Sequence, residues 1–135
     1  MTLEDKELLL KDLCARLPYG VWVNRKFKSF KSYTKSVLNG YDIVAINQGE
    51  YDFCKPYLFP LSSMTEEQKE ELKDLISQQT KILIEQLKND DCGIDCGKYH
   101  FHSLLELDWC IKNNFDYRGL IPMGLANDAT GLNIY

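Results

Sequence analysis

The chain has 135 residues, 44% hydrophobic and 27% charged, with a formal net charge of −4. That is room for one domain with a real core, and the composition is neither disordered nor fibrous. The apolar runs are too short to span a bilayer, and MTLEDKELLLKDL lacks the basic start and cleavage site of a secretory signal, so the expected compartment is the cytoplasm.

In chain order, the first element reads as a helix. Thr2 is a fit N-cap, Glu4 and Asp5 sit in the first turn, and Leu9, Leu10, Leu13, Cys14 and Leu17 recur at helical spacing until Pro18 stops the run. GVWV at 20–23 reads as a strand. SYTKSVL and YDIVAIN flank Asn39-Gly40, a type I′ turn signal, so a β-hairpin is expected, its second strand central and covered on both faces. Gln48-Gly49 turns the chain into YDFCKPYLF, which Pro56 restricts to an edge or an irregular crossing.

Thr65-Glu66-Glu67-Gln68 is a capping box opening a helix to about Lys88, with Leu72, Leu75, Ile76, Ile82, Leu83 and Leu87 on one stripe that should supply much of the core. Ser103-Leu104-Leu105-Glu106 repeats the signature for a shorter helix to about Asn113. The tail from Phe115, punctuated by Gly119, Pro122, Gly124 and Gly131, reads as an ordered wrap over the core, with Asp116 and Arg118 forming a local ion pair that pins it. The expected fold class is α+β in one domain, residues 1–135. It has an N-terminal helix, a small antiparallel sheet with the Asn-Gly hairpin, two C-terminal helices and an ordered tail.

KPYLFPLSSMTEEQKEEL (55–72) and FDYRGLIPMGLA (115–126) resemble segments of a family of short uncharacterised proteins from gut bacterial genomes, their prophages and mobile elements. The resemblance covers about the C-terminal two thirds of the chain. It implies a genomic setting, a phage or mobile-element accessory protein, and carries no activity or site residues with it. The 92–102 cluster departs from the family's pattern.

Five cysteines, Cys14, Cys54, Cys92, Cys96 and Cys110, are an odd and scattered set, read as reduced thiols. Cys92 and Cys96 have knuckle spacing, and His100 and His102 would share a face of an extended chain, so zinc is the sharp reading of DCGIDCGKYHFH. Four ligands within eleven residues are cramped for a closed tetrahedron, which favours an interhelical loop; no metal and no cofactor is expected. A Cys–His nucleophile would sit among Asp90, Asp91 and Asp95, which raise a thiol pKa, and no phosphate loop or hydrolase motif is present, so no catalytic residue is assigned.

Residues 24–36 hold five Lys/Arg and no acid, leaving −9 on the rest of the chain. Arg25, Lys26, Lys28, Phe30, Lys31, Tyr33 and Lys35 are the candidate binding residues: cations neutralise phosphates, and interleaved aromatics stack on bases. The simpler use of the same residues is aromatics entering the core or covering a sheet edge, with lysines keeping that edge unpaired.

The leading functional reading is a non-enzymatic accessory protein that binds a host or phage protein, with no membrane role. Its most concrete form is inhibition of a host nuclease or defence complex, by analogy of setting. The alternative is a nucleic-acid-binding module using 25–35, expected to bind weakly; the third is a small enzyme or zinc protein.

Overall fold

Thr2 opens the first helix as a full capping box: its hydroxyl accepts from the Asp5 N–H at 3.1 Å, and the Asp5 carboxylate accepts from the Thr2 N–H. The computed structural model describes residues 1–89 and 106–135, with 79–89 described as backbone alone. The fold is α+β, and the chain divides into two compact units, Met1–Ser63 with Ile111–Tyr135, and Met64–Cys110.

In the first unit, α1 (Leu3–Arg16) ends at a 3₁₀ turn containing Pro18. Then follow β1 (Trp22–Phe27), β2 (Thr34–Val37), α2 (Gly40–Gln48), β3 (Tyr51–Leu58) and, in the tail, β4 (Asn127–Asp128). The sheet order is β2-β1-β3-β4, with β1 antiparallel to both neighbours and β4 parallel to β3. The sheet is therefore mixed, not purely antiparallel as the sequence reading has it. The parallel strand comes from the tail, which returns along the far edge of β3.

The Asn39-Gly40 hairpin is replaced by a helix. The Asn39 side chain accepts from the Asp42 N–H at 3.1 Å and Asp42 accepts from the Asn39 N–H at 3.0 Å, a second capping box, and Gly49 closes the helix at φ 73°. Two reciprocal bonds satisfy two of the N–H groups that a helix start leaves unpaired. Against that, the β-branched Ile43, Val44 and Ile46 cost only a few tenths of a kcal/mol each in helix propensity. The alternation of α2 is helical: Asp42, Ala45 and Ile46 are buried while Tyr41 and Val44 face solvent.

β3 is an interior strand, contrary to the expectation drawn from Pro56. Its ladder with β4 begins at Tyr57, so the missing N–H falls where β3 has a strand partner on one side only.

The core joins Leu9 and Leu13 of α1, Val21, Val23, Leu38, Ala45 and Ile46, Tyr51, Cys54 and Leu58 of β3, and Leu120, Leu125 and Ala126 of the tail. The tail is the ordered wrap the sequence implies. The Asp116 carboxylate accepts from the N–H groups of Leu120 and Ile121 at 2.8 and 2.9 Å, and the Tyr135 hydroxyl donates to the Tyr57 carbonyl and accepts from the Trp22 N–H. Arg118 pairs with Asp12 of α1 at 3.3 Å rather than with Asp116. Asp12, fully buried, also holds Arg16, whose Nη2 reaches the Phe115 carbonyl at 2.7 Å. The tail is thus pinned by ions reaching across the unit, and Asp116 spends both oxygens on backbone.

In the second unit, Thr65 and Gln68 form the expected capping box at the start of α3 (Glu66–Asn89). Leu72, Leu75 and Ile76 are half-buried and Lys73, Asp74, Ser77 and Gln78 exposed, so the helical phase is as read. The described part of the stripe adds no fully buried side chain, so the core residues named above come from the first unit. Residues 106–112 are helical; Ser103 lies outside the described residues.

Gly40 distinguishes the helix from the hairpin. It has ordinary negative-φ backbone and no atom within 4 Å of an added Cβ. Gly40→Ala should stabilise by about 0.4–1 kcal/mol in urea denaturation; a type I′ turn, which needs positive φ there, would make the same change clearly destabilising.

Candidate functional site

A strand places alternate side chains on opposite faces. From Val21 through β1 this puts Val21, Val23 and Arg25 on the core side and Trp22, Asn24 and Lys26 on the other. Arg25, the first of the candidate binding residues, is therefore buried, 5% exposed. Its Nη2 meets Asp42 at 2.8 Å and its Nη1 donates to the Ser36 hydroxyl at 2.5 Å. The Tyr51 hydroxyl donates to the other Asp42 oxygen at 2.6 Å. Arg25 belongs to the fold, not to the surface.

Lys26 is spent as well. It hydrogen-bonds and ion-pairs with Asp52 of β3, which raises its pKa above the ordinary lysine value against the opposing effect of desolvation. Lys35 lies over the Tyr57 ring, 5.1 Å from its centroid. Lys28 and Lys31 keep no ion-pair partner among the described residues. The stretch that holds five cations in sequence keeps three without a carboxylate partner among the described residues, Lys28 and Lys31 on the turn between β1 and β2 and Lys35 on β2.

The aromatics behave differently from one another. Phe27 packs inward on Tyr51, ring centroids 4.5 Å apart, and supports Phe30 edge-on at 5.7 Å. Phe30 itself is 61% exposed and Tyr33 64%, the latter resting on Phe53 at 5.6 Å. Neither enters the core. β2 is the edge strand they adjoin, so half of the simpler reading holds: they sit beside an edge, and lysines flank it.

Sequence reasoning missed Tyr41, which shares this surface with Phe30, and two further exposed side chains close by in the chain, Val37 and Val44; all three are more than 40% exposed. Tyr41 and Val44 were assigned to a strand covered on both faces. The signal that finds them is Asn39-x-x-Asp42, a capping spacing that turns 41–48 into a helix with an outward face. Tyr41 donates to Glu50 at 2.9 Å, a bond that raises its pKa, and together with Phe27, Lys28, Ser29, Phe30 and Glu50 it lines a groove of about 460 Å³.

No family model, curated protein or solved structure matches the chain. Among the described residues no group of three or more His, Cys, Asp and Glu is placed to hold a metal ion. Cys92, Cys96, His100 and His102 lie outside the described residues.

In the buried group of Arg25, Asp42, Tyr51 and Cys54, the thiol and the phenol are both shifted away from ionisation. Burial pushes the Cys54 thiol up to about 12, with the Asp42 charge adding to the rise and Arg25 opposing it; burial and the Asp42 bond raise Tyr51 too. A nucleophilic thiol needs the opposite shift. Native alkylation at neutral pH should therefore modify the exposed Cys14 and leave Cys54 unlabelled until the protein unfolds. Equal native labelling of Cys14 and Cys54, read by peptide mass spectrometry, would contradict the buried network.

Proposed function

We propose that this chain is a non-enzymatic binding protein, an accessory of a phage or mobile element acting in the cytoplasm, which docks a host or phage protein through residues 27–44. The observation that carries the reading is the exposure of Phe30, Tyr33, Val37, Tyr41 and Val44 within fifteen consecutive residues. Protein interfaces draw most of their energy from aromatic anchors that become desolvated, while charges at the rim mainly set association rate. Phe30 and Tyr41 flank one groove and are held from below by Phe27 and Glu50, so both are presented rather than loose. The genomic setting is supported by the resemblance of 55–72 and 115–126 to proteins of gut bacterial genomes and their mobile elements. Inhibition of a host nuclease or defence complex is the specific form such a binder would take. No helix among the described residues is long and apolar enough to cross a membrane.

Nucleic-acid binding is the second reading, favoured by one observation: Tyr33 rests on Phe53, and Lys55 lies 5.6 Å from the Phe53 ring centroid, a stacking surface flanked by a cation. Four lysines without a carboxylate partner among the described residues, Lys28, Lys31, Lys35 and Lys55, set the limit of its electrostatics. With about 0.7 of a log unit per phosphate contact on single strands, they support a salt slope no steeper than about −2.8.

The two readings separate in one set of variants. A partner captured from host extract, then purified, should bind the Phe30→Ser, Tyr41→Ser double variant at least about tenfold more weakly, as expected when central aromatics are truncated. It should bind the Lys28→Glu, Lys31→Glu variant less than about tenfold more weakly. Tight oligonucleotide binding at physiological salt, lost in the lysine variant and kept in the aromatic one, would replace the protein reading with the nucleic-acid one.

A further inference from the structure

β2 is the outermost strand of the sheet, paired with β1 on one side and with no strand on the other among the described residues. Two hydrogen bonds fix which of its backbone groups point outward. The Leu38 N–H donates to the Val21 carbonyl at 2.8 Å, so these two residues form a hydrogen-bonded pair of the antiparallel ladder. Such pairs alternate with non-hydrogen-bonded ones, whose N–H and C=O groups turn away from the partner strand. In the register of β1 and β2, Ser36 and Thr34 therefore bond to Val23 and Arg25, while Lys35 and Val37 point their groups to the free edge. The far side of β1 agrees. The Trp22 N–H, opposite Val37, points toward β3 and donates to the Tyr135 hydroxyl, which in turn donates to the Tyr57 carbonyl. Among the described residues the outward groups of Lys35 and the Val37 N–H have no partner, and the Val37 carbonyl has only the Arg25 Nη2 at 3.4 Å. Thr34, Lys35 and Val37 are exposed, and the Lys35 ammonium lies over the Tyr57 ring of β3, so its side chain leans away from the edge and leaves the backbone there open.

An open edge is a template for another strand, and sheets shield it with proline, a bulge or charge. β2 has no proline, and its register with β1 runs unbroken from Trp22↔Val37 to Arg25↔Thr34. Charge is the shield that remains. Residues 28–41 hold Lys28, Lys31 and Lys35 and no acid, and none of the three has a carboxylate partner among the described residues. A second copy laid antiparallel on β2 would bring the same lysines against these, Lys35 facing Lys35 in the centred register, and like charges directly opposite are destabilising. An acidic strand meets the opposite situation. We propose that β2 is the docking edge for an acidic, extended segment of the protein partner, which adds to the sheet as a fifth strand, antiparallel to β2, through main-chain bonds to Lys35 and Val37. The inference rests on the protein-docking reading above and specifies how that partner binds. In strand addition the main chain supplies affinity and alternate side chains supply the choice of partner.

The probe is the capped peptide Val-Thr-Glu-Thr-Val-Glu-Glu, titrated into the isotope-labelled full chain and followed by NMR. Its first glutamate falls opposite Lys35, and the last two run on toward the turn that carries Lys31. Before peptide is added, amide hydrogen exchange should be slow at Thr34 and Ser36 and fast at Lys35 and Val37. At saturation the Lys35 and Val37 amides should slow at least about tenfold, and Thr34 and Ser36 should change far less. The lysine analogue, Val-Thr-Lys-Thr-Val-Lys-Lys, should bind at least about tenfold more weakly at low salt. N-methylation of the first glutamate, which keeps every side chain and removes one main-chain donor, should weaken binding at least about fivefold. Lys31→Glu with Lys35→Glu should reverse the preference between the two peptides while leaving the circular dichroism spectrum unchanged. Phe30→Ser with Tyr41→Ser should leave peptide affinity unchanged, so the aromatic groove and the edge are read separately. Partner capture lost in that aromatic variant, with no peptide protection at Lys35 and Val37, would keep the docking reading and overturn strand addition. Equal exchange at all four β2 amides without peptide, protection that rises with protein concentration alone, equal binding of the two peptides, or undiminished binding of the N-methylated one would each overturn it as well.

Discussion

A guanidinium in line with Val21 and Val23 must find a carboxylate, and Arg25 finds Asp42. The pair is almost wholly buried, 6% and 1% exposed. An unpaired charge at that depth would cost several kcal/mol, so the elements bearing the two residues are held to one arrangement. Asp42 is at once the N3 residue of a capping box, the acceptor for Tyr51 and the partner of Arg25. Ser36 supplies the remaining contact from β2. One carboxylate thereby joins β1, the start of α2 and β3, while the arginine it holds reaches β2. A second buried carboxylate, Asp12, does the same for the tail by pairing with Arg118 and by holding Arg16 of α1, which donates to the Phe115 carbonyl. Tyr117 lies beneath both guanidiniums, at 5.7 and 4.7 Å from its centroid.

These two networks decide what the surface has left to offer. Arg25 is withdrawn into the interior and Lys26 is neutralised by Asp52, so of the five cations in the stretch Lys28, Lys31 and Lys35 are left exposed beside Phe30 and Tyr33. The loss of two cations reduces what the stretch can offer a phosphate backbone. It also sets Lys28 apart, since it borders the aromatic groove and has no ion-pair partner among the described residues.

Much of the fold was legible from local signals. The Thr2 and Thr65 caps, the stop at Pro18, the strand before the basic stretch and the ordered tail all rest on short-range chemistry that tertiary contacts do not reverse. Asn39-Gly40 was not legible, because the same dipeptide serves a type I′ turn and a helix start, and the choice falls to Asp42 and to what Asp42 binds far along the chain. Ending the first strand at residue 23 hid the alternation that sends Arg25 inward; carried to Phe27, period two assigns it to the core face. Pro56 misled for a related reason: an interior strand tolerates it where one neighbour is absent. Of the candidate binding residues, Lys28, Phe30, Lys31 and Tyr33 are on the surface, where the sequence leaves open whether the aromatics enter the core, and Arg25 is buried; Tyr41 and Val44 depended on recognising α2.

The account rests on Arg25 and Asp42 acting as one unit, and a double-mutant cycle measures that directly. Asp42→Asn removes the charge and keeps one acceptor oxygen, which serves the Tyr51 bond or the Asn39 bond but not both, since these fall on different oxygens; Arg25→Met keeps the apolar stem and removes the guanidinium. Each single variant should lose about 3–5 kcal/mol, the cost of stranding a buried charge. The double variant should lose less than the sum by more than about 1.5 kcal/mol, well within the range seen for contacting pairs. Additivity within about 0.5 kcal/mol would show that the two side chains are not coupled and would contradict the central role given to the pair.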